Sequence, residues 1–222
     1  ENDRIRVRID ASGGRIVSLW DKRARKELIG EKEGAGFTFI ETEKATSSAW
    51  NIGRHIKDIP VSRCLHMEKV AEGTLRKSVK AVYQIEKSRI EVIYSLDQHQ
   101  SVVKMEVTAD WHEVGGESIP VLDYRIPLSY PAERFLYDVP AGSLEREALT
   151  NDVPALQYGM ALQGERGGKE NTQAAARAEE GGAGSQKQDG AARSAILIID
   201  TKYGYRGTRG RLALPLITSS TS

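Results

Sequence analysis

Hydrophobic and polar residues alternate along much of this chain. In residues 4–9 (RIRVRI), Ile5, Val7 and Ile9 fall on one side and Arg4, Arg6 and Arg8 on the other. Only a pleated strand separates side chains in this way, so the segment reads as a half-buried strand with an arginine-lined outer face. Gly13 and Gly14 then precede a second apolar stretch, residues 16–20, which is a hairpin signal. The period of two returns in Val79, Ala81, Tyr83 and Ile85, and again in Ile90, Val92, Tyr94 and Leu96, with the polar EKS between them predicting a second hairpin. It continues through Val103, Met105 and Val107. Near the end, AILIID and RLALPLI flank TKYGYRGTRG, which reads as a Gly-rich turn or long hairpin loop.

No segment keeps an apolar stripe at i, i+3, i+4, i+7 over the 11 or more residues a helix requires. Residues 171–180 have helix-forming composition but no apolar face beyond alanine. They lie within residues 163–194, a stretch with no Val, Ile, Leu, Met or aromatic residue. Burial there cannot offset the entropy of ordering, so a flexible loop inside the domain is expected. Many short strands with turn signals between them predict an all-β, antiparallel fold, a sandwich of two large sheets forming a single domain over residues 1–222. The chain enters a strand pattern almost at Glu1 and finishes just behind an apolar segment, from which we expect a piece excised from a longer chain.

Composition narrows the function classes. The 222 residues carry 32 basic and 31 acidic side chains, a net charge of +1, which argues against a surface that wraps a polyanion. The one cysteine, Cys64, excludes an internal disulfide framework and a cysteine-based zinc site within one chain. No run approaches 18 apolar residues. Neither nucleic acid nor membrane is therefore expected as a partner.

Candidate chemistry is sparse. His55, His66, His99 and His112 form no HxH, HxD or HExxH pair, and His112–Glu113 is better explained as a hydrogen-bonded strand end than as a metal ligand. Cys64 stands two positions before His66, a spacing that shares a strand face, but nothing nearby supplies an oxyanion hole. Glu145 and Glu147 flank Arg146 at about 7 Å if on a strand, a separation suited to a glycosidase pair, although a solvated face explains them as well. GAGFTF and GGAGSQK each lack part of a phosphate loop. In residues 203–211, YGYRGTRGR, arginines alternate with aromatics and glycines; the short, strand-bracketed loop and the balanced charge count against RNA contact, two tyrosines and an arginine suit sugar recognition as well, and plain hairpin packing is favoured over both.

Several stretches resemble the C-terminal β region of glycoside hydrolase family 38 α-mannosidases: residues 10–29 with their turn, I-x-S-L and D-K pattern, SAWNI, VTADWHE, residues 135–162, and residues 195–217 with the Lys-Tyr-Gly-Tyr turn. They keep their order over nearly the whole chain, while residues 163–194 stand where the pattern has a shorter connection. The resemblance implies an antiparallel β-supersandwich, similar to galactose mutarotase-like folds. It also implies that the aspartate nucleophile and the His and Asp zinc ligands belong to an upstream catalytic domain, so that zinc is a cofactor there and none is bound here. The expected role is a non-catalytic domain that packs on the catalytic domain of the same parent chain and shapes a cleft for mannose-containing glycans. An autonomous carbohydrate-binding module is the alternative, and a purely stabilising domain with buried tyrosines a third. Arg146, Tyr203, Tyr205 and Arg206 are the carbohydrate-binding or interdomain candidates, because loops at sheet edges are where a domain meets partners.

Overall fold

Arginine and aliphatic residues part along β1 (Ile5–Ile9) as the alternation predicts: Ile5 is buried, Val7 and Ile9 are half-buried, and Arg6 and Arg8 are exposed. The structure is a computed structural model that describes residues 1–30, 34–44, 53–163, 194–199 and 204–220. β1 pairs antiparallel with β2 (Ile16–Asp21), whose Trp20 stands opposite Arg6, and β3 (Lys26–Glu27) completes a three-stranded sheet. The turn between β1 and β2 needs Gly14. Its φ is +64°, and a Cβ there would lie 2.3 Å from the Tyr83 hydroxyl, which donates a hydrogen bond to the Gly14 carbonyl at 2.9 Å.

The remaining strands are β4 (Gly36–Glu43), β5 (His55–Pro60), β6 (His66–Glu72), β7 (Arg76–Ile85), β8 (Ser88–Asp97), β9 (Val103–Asp110), β10 (Ser118–Pro127), β11 (Arg134–Val139), β12 (Gly142–Glu147), β13 (Val153–Pro154), β14 (Tyr158–Leu162), β15 (Ser194–Ile198), β16 (Gly204–Thr208) and β17 (Arg211–Thr218). Every strand pairing among the described residues is antiparallel, and no helix occurs among them. The strands divide into four sheets where the sequence suggested two large ones: β1-β2-β3, β13-β16-β17-β10-β4-β5, β12-β11-β14-β15 and β6-β7-β8-β9. Strands of 5 to 10 residues linked by tight turns account for the larger number. The β7–β8 hairpin turns at Glu86 and Lys87, with Glu86 at φ +51°. Part of the segment TKYGYRGTRG is not loop: Gly204–Thr208 form strand β16, and the chain reverses at Arg209 and Gly210, where Gly210 takes φ +70°. Glycines within that strand hid its period of two. Residues 164–193, most of the expected flexible loop, lie outside the described residues.

One hydrophobic cluster runs from Ile16 to Leu216 and joins the sheets. Phe37 of β4 meets Tyr83 of β7 and Tyr124 of β10 edge to face, with centroids 5.2 and 5.3 Å apart. Each such contact adds about 0.5–1.5 kcal/mol beyond area burial. β11 lies close against β16, since a Cβ on Gly207 would fall 2.4 Å from the Phe135 ring.

The six-stranded sheet has two chemically opposite faces. Phe37, Phe39, Leu122, Tyr124, Leu212, Leu214 and Tyr205 point into the core. The alternate positions, by register, carry Thr38, Asp123, Arg125, Ala213 and Arg206.

Gly14→Ala should lower stability by about 1–3 kcal/mol, because the left-handed φ and the contact with Tyr83 both oppose a methyl group. Urea unfolding checks this, and an unchanged midpoint would contradict the close packing of that turn.

Candidate functional site

The polar face of the six-stranded sheet brings charges together from positions far apart in sequence. Arg206 of β16, Ala213 of β17 and Arg125 of β10 stand in one cross-strand row. The small Ala213 between them lets both guanidiniums reach Asp123, two residues before Arg125 and so on the same face. Asp123 Oδ2 accepts from Arg125 Nε at 2.9 Å and also from Arg206 Nη2. Arg206 Nη1 donates to Asp152 Oδ1 at 2.7 Å, and Arg125 Nη1 pairs with Asp58 Oδ2 at 2.6 Å. Asp123 has no exposed surface, and Arg206 is 5% exposed.

Two bulges aim these groups. Asp123 faces Pro215 where the β10–β17 register shifts, a site where a strand proline is tolerated. On β5, Asp58 and Lys57 oppose Ile40 and Glu41 in step, but Thr42 opposes His55. Without that bulge Ile56 would take the place opposite Thr42; with it, Ile56 turns outward and His55 joins Asp58 on the polar face.

His55 Nε2 lies 3.2 Å from Arg206 Nη1. A guanidinium has only donors, so Nε2 carries the lone pair and the ring proton sits on Nδ1, 3.4 Å from Asp58 Oδ1. Burial, reinforced by the charge of Arg206, holds the His55 pKa below its ordinary 6.5. Burial pushes Asp123 above the usual carboxylate value, against the pull of Arg206 and Arg125. At Asp58, burial also pushes upward, but the bond and charge of Arg125 outweigh it and the pKa is lowered.

Above this network opens a cavity of about 270 Å³, lined by Arg54, His55, Asp58, Arg125, Arg206 and Arg211 together with residues 150–152 and Thr208. Its walls come from β5, β10, β16 and β17 and from the segment ahead of β13. Arg54, on the rim, is held by both carboxylate oxygens of Glu43.

The sequence candidates are placed as follows. Arg206 is the buried centre of the network. Tyr205, on the other face of β16, has no exposed surface; its hydroxyl donates to the Gln157 carbonyl at 2.6 Å, and burial pushes its pKa up to about 12. Its ring packs over Gly159 and offers no face to a sugar. Arg146 is exposed on β12, in the sheet β12-β11-β14-β15, and does not line the cavity. Tyr203 lies outside the described residues, as do all five positions of SAWNI, 48–52. His55, Asp58, Arg125 and Asp152 were missed because their partners are distant: Arg206 is 151 residues from His55, 83 from Asp123 and 54 from Asp152.

Zinc finds no ligand set here: among the described residues, no group of three His, Cys, Asp or Glu side chains is placed to hold a metal. His66, His99 and His112 each sit beside one carboxylate, that of Glu68, Asp3 and Asp110. Glu145 pairs with Arg134 on the exposed β12, and Cys64 is buried, with its thiol 3.6 Å from the Ala11 carbonyl. Glu113 turns away from His112 to accept from Lys87 and Ser88.

Residues 1–221 match the family model of the glycosyl hydrolases family 38 C-terminal domain. Among solved structures, the chain is similar to that of an alpha-mannosidase from Enterococcus faecalis V583, with a TM-score of 0.62 and 11% sequence identity. The match covers 99% of this chain and 25% of that one, and at such identity it speaks for the fold alone. No curated protein matches the chain in sequence.

Arg206→Ala should cost about 3–5 kcal/mol in urea unfolding, because it leaves Asp123 and Asp152 facing each other without the shared cation. A loss below 1 kcal/mol, of the order of an exposed pair, would contradict the buried network. A depressed His55 pKa means that the unfolded chain takes up a proton before the folded one does. Stability from this group is therefore complete above pH 6.5 and falls as pH drops below it toward the lowered folded value. In thermal unfolding between pH 7 and 5, His55→Gln should lose less stability than the unsubstituted chain; parallel curves would refute the assignment.

Proposed function

The chain belongs to the glycosyl hydrolases family 38 as its C-terminal domain, and from this premise we propose that it is the non-catalytic β domain of a larger α-mannosidase. In this proposal residues 1–222 form one domain whose sheets stack as a β-supersandwich of the galactose mutarotase-like kind. The domain packs on the catalytic domain of the same parent chain and shapes its cleft for mannose-containing glycans. Zinc and the nucleophile belong to that other domain.

The observation that carries this is coverage: the family match takes in residues 1–221 as a C-terminal unit, and the chain spans 25% of the length of the alpha-mannosidase it resembles in fold. The surface supports it. All six residues of β12, an edge strand of its sheet, are exposed, and so are five of the six on β5, the edge of the six-stranded sheet. Long exposed edges invite pairing and are normally covered. On the β12-β11-β14-β15 sheet, Ile198 is 67% exposed, on the face turned away from Tyr137. Burying a side chain of that size contributes about 1.5–3 kcal/mol, which suits a docking face better than open solvent.

Co-expressed with the upstream region of its parent chain, this chain should co-purify with that region, and the pair should hydrolyse an aryl α-mannoside in the presence of zinc. This chain alone should show no turnover. Hydrolysis by the chain alone would sink the non-catalytic assignment, and failure of the two parts to associate would sink the packing.

A further inference from the structure

We propose that the cavity above Asp123 binds one neutral polyhydroxylated ring, a single pyranose unit. Charge balance selects against an anion. Arg54, Arg125, Arg206 and Arg211 line the cavity; Asp58 and Asp152 line it too, while Asp123 behind the floor and Glu43 behind Arg54 bring the carboxylates level with the guanidiniums. A phosphate entering here meets no net field to replace its hydration.

The wall also selects against a flat apolar ligand, since no Phe, Tyr or Trp is among its lining residues and nothing is offered for stacking. A hydroxyl both donates and accepts. The cavity presents acceptors on Asp58 and Asp152, donors on Arg125 and Arg206, and both on Thr150, Asn151 and Thr208. Neighbouring hydroxyls on a ring can thus be met by a donor and an acceptor side by side.

Size and rigidity agree. A cavity of about 270 Å³ lies just below the range of about 300–1,000 Å³ for pockets that take drug-sized ligands, which suits a single ring. Each floor guanidinium is clamped by two carboxylates, Arg125 by Asp58 and Asp123, Arg206 by Asp123 and Asp152. Such a floor loses little conformational freedom when a ligand arrives. The ligand class follows from the cavity; the choice of a mannoside as probe rests on the proposed function.

The test is an NMR titration of the 222-residue chain with methyl α-mannopyranoside, run beside one with inorganic phosphate. Saturable shifts of the cavity amides are expected with the sugar at millimolar concentration and not with phosphate. Asn151→Ala and Asp152→Asn remove wall contacts, and Asn151 is exposed on the rim, so its loss leaves the fold intact. At an unchanged thermal midpoint, Asn151→Ala should weaken sugar binding about fivefold, the loss of one hydrogen bond. No saturable response to the sugar, a response that neither variant weakens, or saturation by phosphate in its place would overturn the proposal. The titration reads this chain alone. Sugar binding without association to the upstream region would sink only the docking role, and association without sugar binding only the cavity.

Discussion

A carboxylate with no exposed surface has to be neutralised by its neighbours or by a proton, and Asp123 stands in the middle of a six-stranded sheet under that constraint. Two guanidiniums from different strands, Arg125 and Arg206, share one of its oxygens. Each needs a further counter-charge, which draws Asp58 from β5 and Asp152 from the segment ahead of β13. Replacing such a network by apolar residues is often neutral or stabilising, so its presence is weak evidence for stability. What it does fix is register. A slip of one residue in β10 or β16 would carry Asp123 or Arg206 into the apolar core, where neither has a partner.

The same constraint explains why the site sits where it does. The apolar face of the sheet is sealed by Phe37, Tyr124, Tyr205 and Leu214 against the other sheets. The polar face can be lined with charge only where strands hold those charges in contact. β5 is the weak side of this arrangement. It is an edge strand, its residues are mostly exposed, and His55 and Asp58 tie it to Arg206 and Arg125. Loss of the His55 lone pair on protonation turns one of those ties into a repulsion between two cations.

Much of the fold was legible in the sequence, and for a local reason. Strand β1 announces itself through Ile5, Val7 and Ile9, and the β7–β8 hairpin through Tyr83 and Tyr94, because the period of two belongs to neighbouring residues. Strand β16 was read as loop because Gly204 and Gly207 interrupt the pattern; Gly207 is there so that the Phe135 ring can lie against the backbone. The site was legible only at Arg206, and there because Tyr203 and Tyr205 precede it in the sequence rather than because of Asp123. Tyr205 faces the core and Arg206 the cavity, as adjacent residues of a strand must. His55 could not be read at all, since its orientation depends on a bulge that sequence alternation does not reveal.

This division of labour on β16 links scaffold to site. Tyr205 anchors the strand by its hydroxyl to the Gln157 carbonyl and by its ring to Gly159 of β14, which joins the β12-β11-β14-β15 sheet to the six-stranded one. The next residue carries the guanidinium at the centre of the cavity. A force that shifts the β12-β11-β14-β15 sheet, such as docking on its exposed edge, therefore acts on β16 and on the position of Arg206 through one peptide unit. Close-packed interiors transmit displacement of this kind rather than absorbing it. The exposed edge strand β12 and the cavity are thus mechanically continuous through Gly159, Tyr205 and Arg206.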